Sequence, residues 1–142
     1  MTGIDTCFLV DLDVQESPRH EGAVSLFENW RRTDRMLAVY SQVFLEYEHI
    51  ITDFRRFIKP FTMEQAADRV WYWTDQDRIR VIHTTDESFK RAQLWLSQYH
   101  LGRNRIADTF MAAAYAEAGI TELWTANRRD FEIFNIFDMP EY

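Results

Sequence analysis

The chain has 142 residues and a formal net charge of −7, and 46% of its residues are hydrophobic. This length fits one domain over residues 1–142, and the composition excludes a disordered chain. The negative charge argues against a broad basic platform that binds nucleic acid by phosphate neutralisation alone.

The cysteine content and the hydropathy narrow the class of protein further. Cys7 stands alone, which excludes an internal disulfide and a zinc site built from several cysteines. We expect it to act as a small buried apolar side chain. No apolar stretch reaches the ~18 residues of a membrane span, and the start of the chain lacks a signal segment, so we predict a cytoplasmic protein without membrane contact.

Short apolar runs alternate with amphipathic patterns along the whole chain, which predicts alternating strands and helices. The predicted strands are Met1–Asp5, Met36–Tyr40, Ile79–His83 and Glu122–Thr125, with Ile133–Phe137 as a candidate fifth. The predicted helices are His20–Arg31, Ser41 to about Phe57, Thr62–Asp75, Thr85 or Asp86 to about Tyr99, and Arg105–Ala118 after an Asn104 cap. This alternation predicts a mainly parallel sheet with right-handed crossovers.

Five acidic or amide side chains fall where a predicted strand gives way to a helix. They are Asp5 after the first strand, Glu46 after the second, Asp108 early in its helix, and Asn127 with Asp130 after the fourth strand. Open parallel sheets bind ligands outside the carboxyl ends of their strands. We therefore expect these side chains to meet at one edge of the sheet.

A cluster of acids of this kind needs a counter-charge. Three carboxylates within ~6 Å of one another would repel by roughly 3 kcal/mol per pair at an effective dielectric near ~20. A proton or a hard divalent cation would relieve this repulsion. Because the four histidines show no ligand spacing, oxygen ligands favour Mg²⁺ or Mn²⁺ over zinc. Such a metal activates water and neutralises a phosphoryl group, which predicts phosphodiester hydrolysis.

Each acid alone also has an ordinary structural explanation. Asp5 fits a strand-end acid bonded to backbone amides, Asp108 fits the positive end of its helix, and Asp130 fits a turn. Glu46 alone fits a solvated helix position. Only the combined spacing and topology favour a metal site.

Four segments in order then resemble the motifs of a PIN domain, in particular the small VapC toxin ribonucleases. The matching segments are Gly3–Thr6, Val43–Tyr47, Ile106–Ala114 and Thr125–Phe131. The resemblance implies a three-layer α/β/α fold with a mainly parallel sheet of four or five strands. It also implies RNA cleavage with Mg²⁺ or Mn²⁺ held by the acid cluster.

The resemblance assigns a role to each of the five side chains. Asp5 and Asp108 would be metal ligands, and Glu46 a ligand or a water-orienting carboxylate. Many relatives carry Asp where Asn127 stands, and Asn127 adds no charge; Asp130 either replaces that charge or fixes the turn. Four arginines near the acids would hold the RNA phosphates. They are Arg103, Arg105, Arg128 and Arg129.

Partner proteins also follow from the resemblance, which implies a small antitoxin and a homodimer. The sequence gives independent support at Trp71, Tyr72 and Trp73. Three adjacent rings spread over ~200° of a helix, more than one core face covers, so at least one should be exposed. Exposed aromatic side chains are enriched at protein interfaces.

Two other functions remain open on the sequence alone. The run Phe8–Val14, with Asp11 and Asp13, resembles the opening of a haloacid-dehalogenase-type phosphatase, which needs a strand through Val10. The nuclease instead needs a strand that ends near Asp5, followed by a helical turn. A non-catalytic PIN-like binding module would keep the fold and bind metal weakly.

Overall fold

The structure, a computed structural model, describes residues 1–142 and has four strands, seven α-helices and one short 3₁₀ turn. The strands are β1 (Thr2–Ile4), β2 (Leu37–Tyr40), β3 (Ile79–Ile82) and β4 (Glu122–Trp124). The first four helices are α1 (Thr6–Asp13), α2 (His20–Arg31), α3 (Ser41–Ile51) and α4 (Met63–Thr74). The others are α5 (Asp86–Gln98), α6 (Ile106–Glu117) and α7 (Arg128–Glu132), with the 3₁₀ turn at Arg103–Arg105.

The four strands form one parallel sheet in the order β3-β2-β1-β4. The chain runs outward from β1 to β2 and β3, then crosses back to place β4 on the other side of β1. Because such crossovers are right-handed, α1 to α4 cover one face and α5 and α6 the other. The packing agrees: α1 contacts α2 and α3, α3 contacts α4, and α6 contacts α5 and α7. The predicted three-layer α/β/α fold is confirmed, with four strands.

Tyr115 of α6 fixes the carboxyl ends of the two central strands. Its buried hydroxyl donates to the carbonyl of Ile4 at 2.6 Å and accepts from the N–H of Tyr40 at 2.9 Å. Gly3 makes room for the ring, since a Cβ there would lie 2.9 Å from Tyr115. The edge of the sheet that carries the predicted site is therefore anchored from the α6 side.

The apolar run after Asp5 is a helix rather than a continued strand. β1 ends at Ile4, and α1 begins at Thr6 with Asp5 as its N-cap. This is the arrangement that the nuclease required, and it contradicts the strand through Val10 that the phosphatase required. Asp13 is also occupied elsewhere, because it forms an ion pair with Arg69 and accepts from the Tyr47 hydroxyl at 2.6 Å.

One predicted helix end and one predicted helix cap were wrong. α3 stops at Ile51, because the Thr52 hydroxyl donates to the Glu48 carbonyl at 2.7 Å and Asp53 turns the chain by accepting from the Arg55 N–H at 2.9 Å. α6 starts from the 3₁₀ turn, and Asn104 provides no side-chain cap.

The predicted fifth strand at Ile133–Phe137 was also wrong. Asn135 has a φ of 52°, in the left-handed region, which interrupts an extended backbone. Phe134 turns inward and stacks on Trp95, with ring centroids 4.7 Å apart. The segment reaches the sheet only at an isolated bridge between Asp138 and Glu122.

The aromatic triplet of α4 behaves as its helical spacing predicted. Trp73 is fully buried in the core, whereas Trp71 is 71% exposed and Tyr72 lies partly in solvent. The expectation that at least one ring is exposed is confirmed. None of the helices combines the length and the apolar content that a membrane crossing requires.

Candidate active site

Asp5 lies at the point where the chain leaves β1, the strand from which the sheet extends in both directions. Its N–H donates to the carbonyl of Trp124 at 3.1 Å, which joins it to β4. One carboxylate oxygen accepts from the Thr6 N–H at 2.6 Å. The other accepts from the Thr125 hydroxyl at 2.6 Å and from the Cys7 thiol at 3.0 Å. Neutral donors thus fix this buried carboxylate without cancelling its charge.

Glu46 reaches the same place from α3, which follows β2 without a connecting loop. One of its carboxylate oxygens accepts from the Thr6 hydroxyl at 2.7 Å, and no hydrogen bond involves the other. Thr6 therefore bonds Asp5 through its backbone and Glu46 through its side chain. One residue at the start of α1 sets the spacing of both acids.

Asp108 completes the group from the first turn of α6. A cleft of about 330 Å³ is lined by all three predicted metal ligands, Asp5, Glu46 and Asp108. A neighbouring cleft of about 470 Å³ is lined by the same three acids and by Asn127. Asp130 lies outside both clefts and lines a third one together with Asn127.

The pKa values of Asp5 and Asp108 reflect this proximity. Burial, followed by the charges of Asp5 and Asp130, raises the pKa of Asp108 to about 6. Burial also raises the pKa of Asp5, against the lowering effect of its hydrogen bonds, and the Glu46 charge adds to the rise. The cleft therefore disfavours its own ionised carboxylates when no cation is present.

The residues present fit a hard divalent cation, although the ligand shell is not closed. Asp108 accepts no hydrogen bond and meets only Arg105, at 3.9 Å from one oxygen, and one Glu46 oxygen has no partner, so each acid keeps a carboxylate oxygen without a partner beside the clefts. No three His, Cys, Asp or Glu side chains form a metal-binding group as they stand.

The four predicted RNA-binding arginines divide into two pairs. Arg105 lies between two acids, with its Nε 3.9 Å from Asp108 and 3.6 Å from Asp130. Arg128 forms an ion pair with Glu141 at 2.6 Å. Arg103 and Arg129 are exposed and make no ion pair, so only these two are free to meet a phosphate.

Cys7 and Thr125 both donate hydrogen bonds to Asp5, a role that the sequence did not predict. The Thr125 hydroxyl donates to Asp5 and accepts from the Asn127 N–H at 2.9 Å. The Cys7 thiol donates to Asp5 and accepts from the Ala126 N–H at 3.1 Å. The loop after β4 is thus joined twice to Asp5. The prediction that Cys7 is only a buried apolar side chain was wrong, since it is half-buried and bonded.

Three basic side chains also line the acid clefts without having been predicted. His49 lines both clefts, and Arg19 and Arg56 line the larger one. A signal for His49 was present, because it lies three residues after Glu46 and so on the same helix face. Arg19 and Arg56 come from connecting segments, and no local pattern places them there.

Comparison with known proteins identifies the fold. No protein-family model matches the chain, and no curated protein matches it. Among solved structures, it is similar to VapC20 of Mycobacterium tuberculosis, described as a sarcin-ricin loop cleaving toxin, with a TM-score of 0.74, 19% identity, and coverage of 94% of this chain and 95% of that one.

Two further structures agree. A toxin-antitoxin complex from Klebsiella pneumoniae matches with a TM-score of 0.64 and 18% identity over 92% of this chain and 90% of that one. VapBC-1 from nontypeable Haemophilus influenzae matches with a TM-score of 0.68 and 15% identity over 99% and 96%. The predicted resemblance to VapC toxins is confirmed at the level of the fold, which is PIN-like.

Proposed function

We propose that the chain is a metal-dependent endoribonuclease that hydrolyses RNA phosphodiesters. The observation that carries the proposal is that Asp5, Glu46 and Asp108, from three separate elements, line one cleft at the carboxyl edge of the sheet. That edge, next to the strand where the sheet order reverses, is where open parallel sheets bind their ligands. The likeness in fold to a protein described as a sarcin-ricin loop cleaving toxin supports the same class of reaction.

The roles of the side chains follow from their partners. Mg²⁺ or Mn²⁺, when bound, would supply an activated water and neutralise charge on the phosphoryl group. Asp5, fixed by neutral donors, is the preorganised ligand of the three. Asp108 and Glu46 have unpaired oxygens with which to complete the site. Asn127 can orient the phosphate by hydrogen bonds from the edge of the larger cleft.

Four charged side chains act beside the cleft in this proposal. Asp130 holds Arg105 close to Asp108 and so fixes the turn rather than the metal. Arg103 and Arg129, which have no acidic partner, are the arginines that would bind the RNA phosphates.

We further propose that the chain is the toxin of a toxin-antitoxin pair and forms a homodimer. Support comes from the similarity in fold to a toxin-antitoxin complex and from the exposed Trp71, an apolar ring available to a protein partner. Expression of the wild-type chain should arrest bacterial growth, whereas expression of Asp5→Asn should not. Growth arrest by both would separate toxicity from the acid site.

A non-catalytic binding module is the second candidate. It is favoured by the neutral Asn127 and by the absence of a closed three-ligand group. In that case the fold and the exposed aromatic surface would be kept without RNA cleavage.

RNA cleavage by protein freed of contaminating ribonucleases decides between the two. We expect cleavage with Mn²⁺ or Mg²⁺ that falls at least about 100-fold in Asp5→Asn and in Asp108→Asn, because loss of even an outer partner of a metal ligand costs ~10- to 100-fold. Asp68→Asn is the matched control, since Asp68 is exposed on α4 and makes no ion pair. Equal cleavage by all three variants would contradict the proposal, and no cleavage by the wild type would favour the binding module.

A further inference from the structure

The cleft of about 330 Å³ has an apolar part that metal binding does not explain. One wall is helix α3, which contributes Gln42, Leu45 and His49 beside Glu46. The facing wall is the start of α6, with Ala107 and Met111 beside Asp108. We call this space the α3–α6 cleft.

Helix α3 has two faces with separate roles. Gln42, Leu45, Glu46 and His49 follow the spacing of i, i+3, i+4 and i+7, so they form one stripe along the helix. The buried residues Phe44, Tyr47 and Ile51 lie on the other face, and Val43 lies at the boundary between the two. The helix therefore gains its stability from one face and presents the other to the cleft.

One large apolar side chain of this cleft remains exposed. Leu45 lines the cleft from α3 and is 66% exposed. An exposed apolar side chain beside a concave site with several convergent polar groups fits a ligand-binding surface.

We propose that the α3–α6 cleft is a nucleobase slot that holds the base next to the cleaved phosphate. This deepens the proposed nuclease function and rests on it. A base has flat apolar faces, which Leu45 and Met111 can contact, and a polar edge, to which the Gln42 amide and the His49 ring can bond. The three acids line the same cleft, so the base and its phosphate fit one continuous site.

The slot also defines the class of substrate. A base can enter a cleft between two helices only when it is unstacked and unpaired, so the substrate is single-stranded RNA or a loop. Gln42 would be the residue that reads the base edge, because its amide offers both a donor and an acceptor. A partner protein's apolar side chain is the competing occupant, but it would leave the Gln42 amide and the His49 ring without a hydrogen-bond partner.

Binding of short strands with and without bases tests the slot directly. The probes are hexanucleotides of one base type and an abasic ribose-phosphate strand of the same charge, titrated with Mg²⁺ present into protein carrying Asp108→Asn so that the strands stay intact. We expect base-containing strands to bind about 5-fold more tightly or better, the lower end of the range for one base on an aromatic side chain, because Leu45 and Met111 offer aliphatic faces. Leu45→Ala should remove most of this difference.

Control variants separate the slot from general effects. Leu94→Ala on α5 removes a similarly exposed leucine away from the cleft and should leave the preference for bases unchanged. Gln42→Ala should reduce the differences among the four bases. Equal affinity for the abasic strand, or unchanged affinity in Leu45→Ala, would overturn the proposal and favour a protein occupant.

These experiments distinguish failure of the slot from failure of the proposed nuclease function. Cleavage of RNA together with equal binding of abasic strands would leave the nuclease standing and remove the slot. Base-dependent binding without cleavage in the wild type would leave the slot standing and remove the nuclease.

Discussion

Replacing Asp108 by Asn should stabilise the metal-free protein, because one of three mutually repelling carboxylates is removed. The pKa of Asp108 is raised to about 6 by burial and by the charges of Asp5 and Asp130. Relative to an unfolded value near ~3.9, this corresponds to roughly 3 kcal/mol at most between the two protonation states. The side chain is 31% exposed, so solvent screening reduces the expected gain to about 1–2 kcal/mol.

The effect has a defined pH dependence. Since the pKa of Asp108 is higher in the folded state, the folded protein gains stability from its proton below about pH 4 and loses this gain as the pH rises through about 6. The variant has no such proton to lose. The advantage of the variant should therefore be absent near pH 4 and complete near pH 8. Arg105 still retains Asp130 as a partner in the variant.

Thermal melts of EDTA-treated protein measure this effect. A gain of about 1–2 kcal/mol should raise the Tm of Asp108→Asn by about 2–8 °C near pH 8, given ~2–4 °C per kcal/mol for a chain of this size. Excess Mn²⁺ should then stabilise the wild type more than the variant, because only the native site binds the ion. An identical Tm for both proteins without metal, or an identical Mn²⁺ shift, would refute the reasoning.

Three further predictions follow from contacts around the site and the core. Cys7→Val should weaken Mn²⁺ binding about 10-fold by calorimetry, whereas Cys7→Ser, which keeps a donor for the carboxylate that caps α1, should keep most of the affinity. Arg103→Ala and Arg129→Ala should each reduce the slope of log affinity for RNA against log salt by ~0.7, and an unchanged slope would exclude a phosphate contact. Arg69→Met should lower the free energy of unfolding in urea by roughly 2–4 kcal/mol, because it leaves the buried Asp13 without its cation; Mn²⁺ binding should not change.

Local patterns predicted most of the fold because the elements carry clear signals at their ends. Thr62 and Thr85 each form a capping box with the residue three positions later, so the starts of α4 and α5 could be predicted from the sequence. The run from Cys7 to Val10 was ambiguous because α1 is buried on most of its surface, which removes the amphipathic period. Only its tertiary setting decides that this run is helical.

The candidate site was predictable to the extent that it depends on topology. The rule that ligands bind at the carboxyl ends of parallel strands was enough to group Asp5, Glu46 and Asp108. The division of the arginines was not predictable, because it depends on which acid each one meets; Arg105 meets Asp108 and Arg128 meets Glu141. Sequence patterns report spacing along an element but not partners across the fold.

Two aspartates eight residues apart show what distinguishes a structural acid from a candidate ligand. Asp13 and Asp5 are both well buried, and each accepts several hydrogen bonds. Asp13 is paired with the cation of Arg69, so its charge is neutralised inside the protein. Asp5 accepts only from neutral donors, which fix its position and leave its charge unbalanced. Burying an unbalanced charge is costly, which raises the pKa of Asp5 and favours either a proton or an external cation beside it.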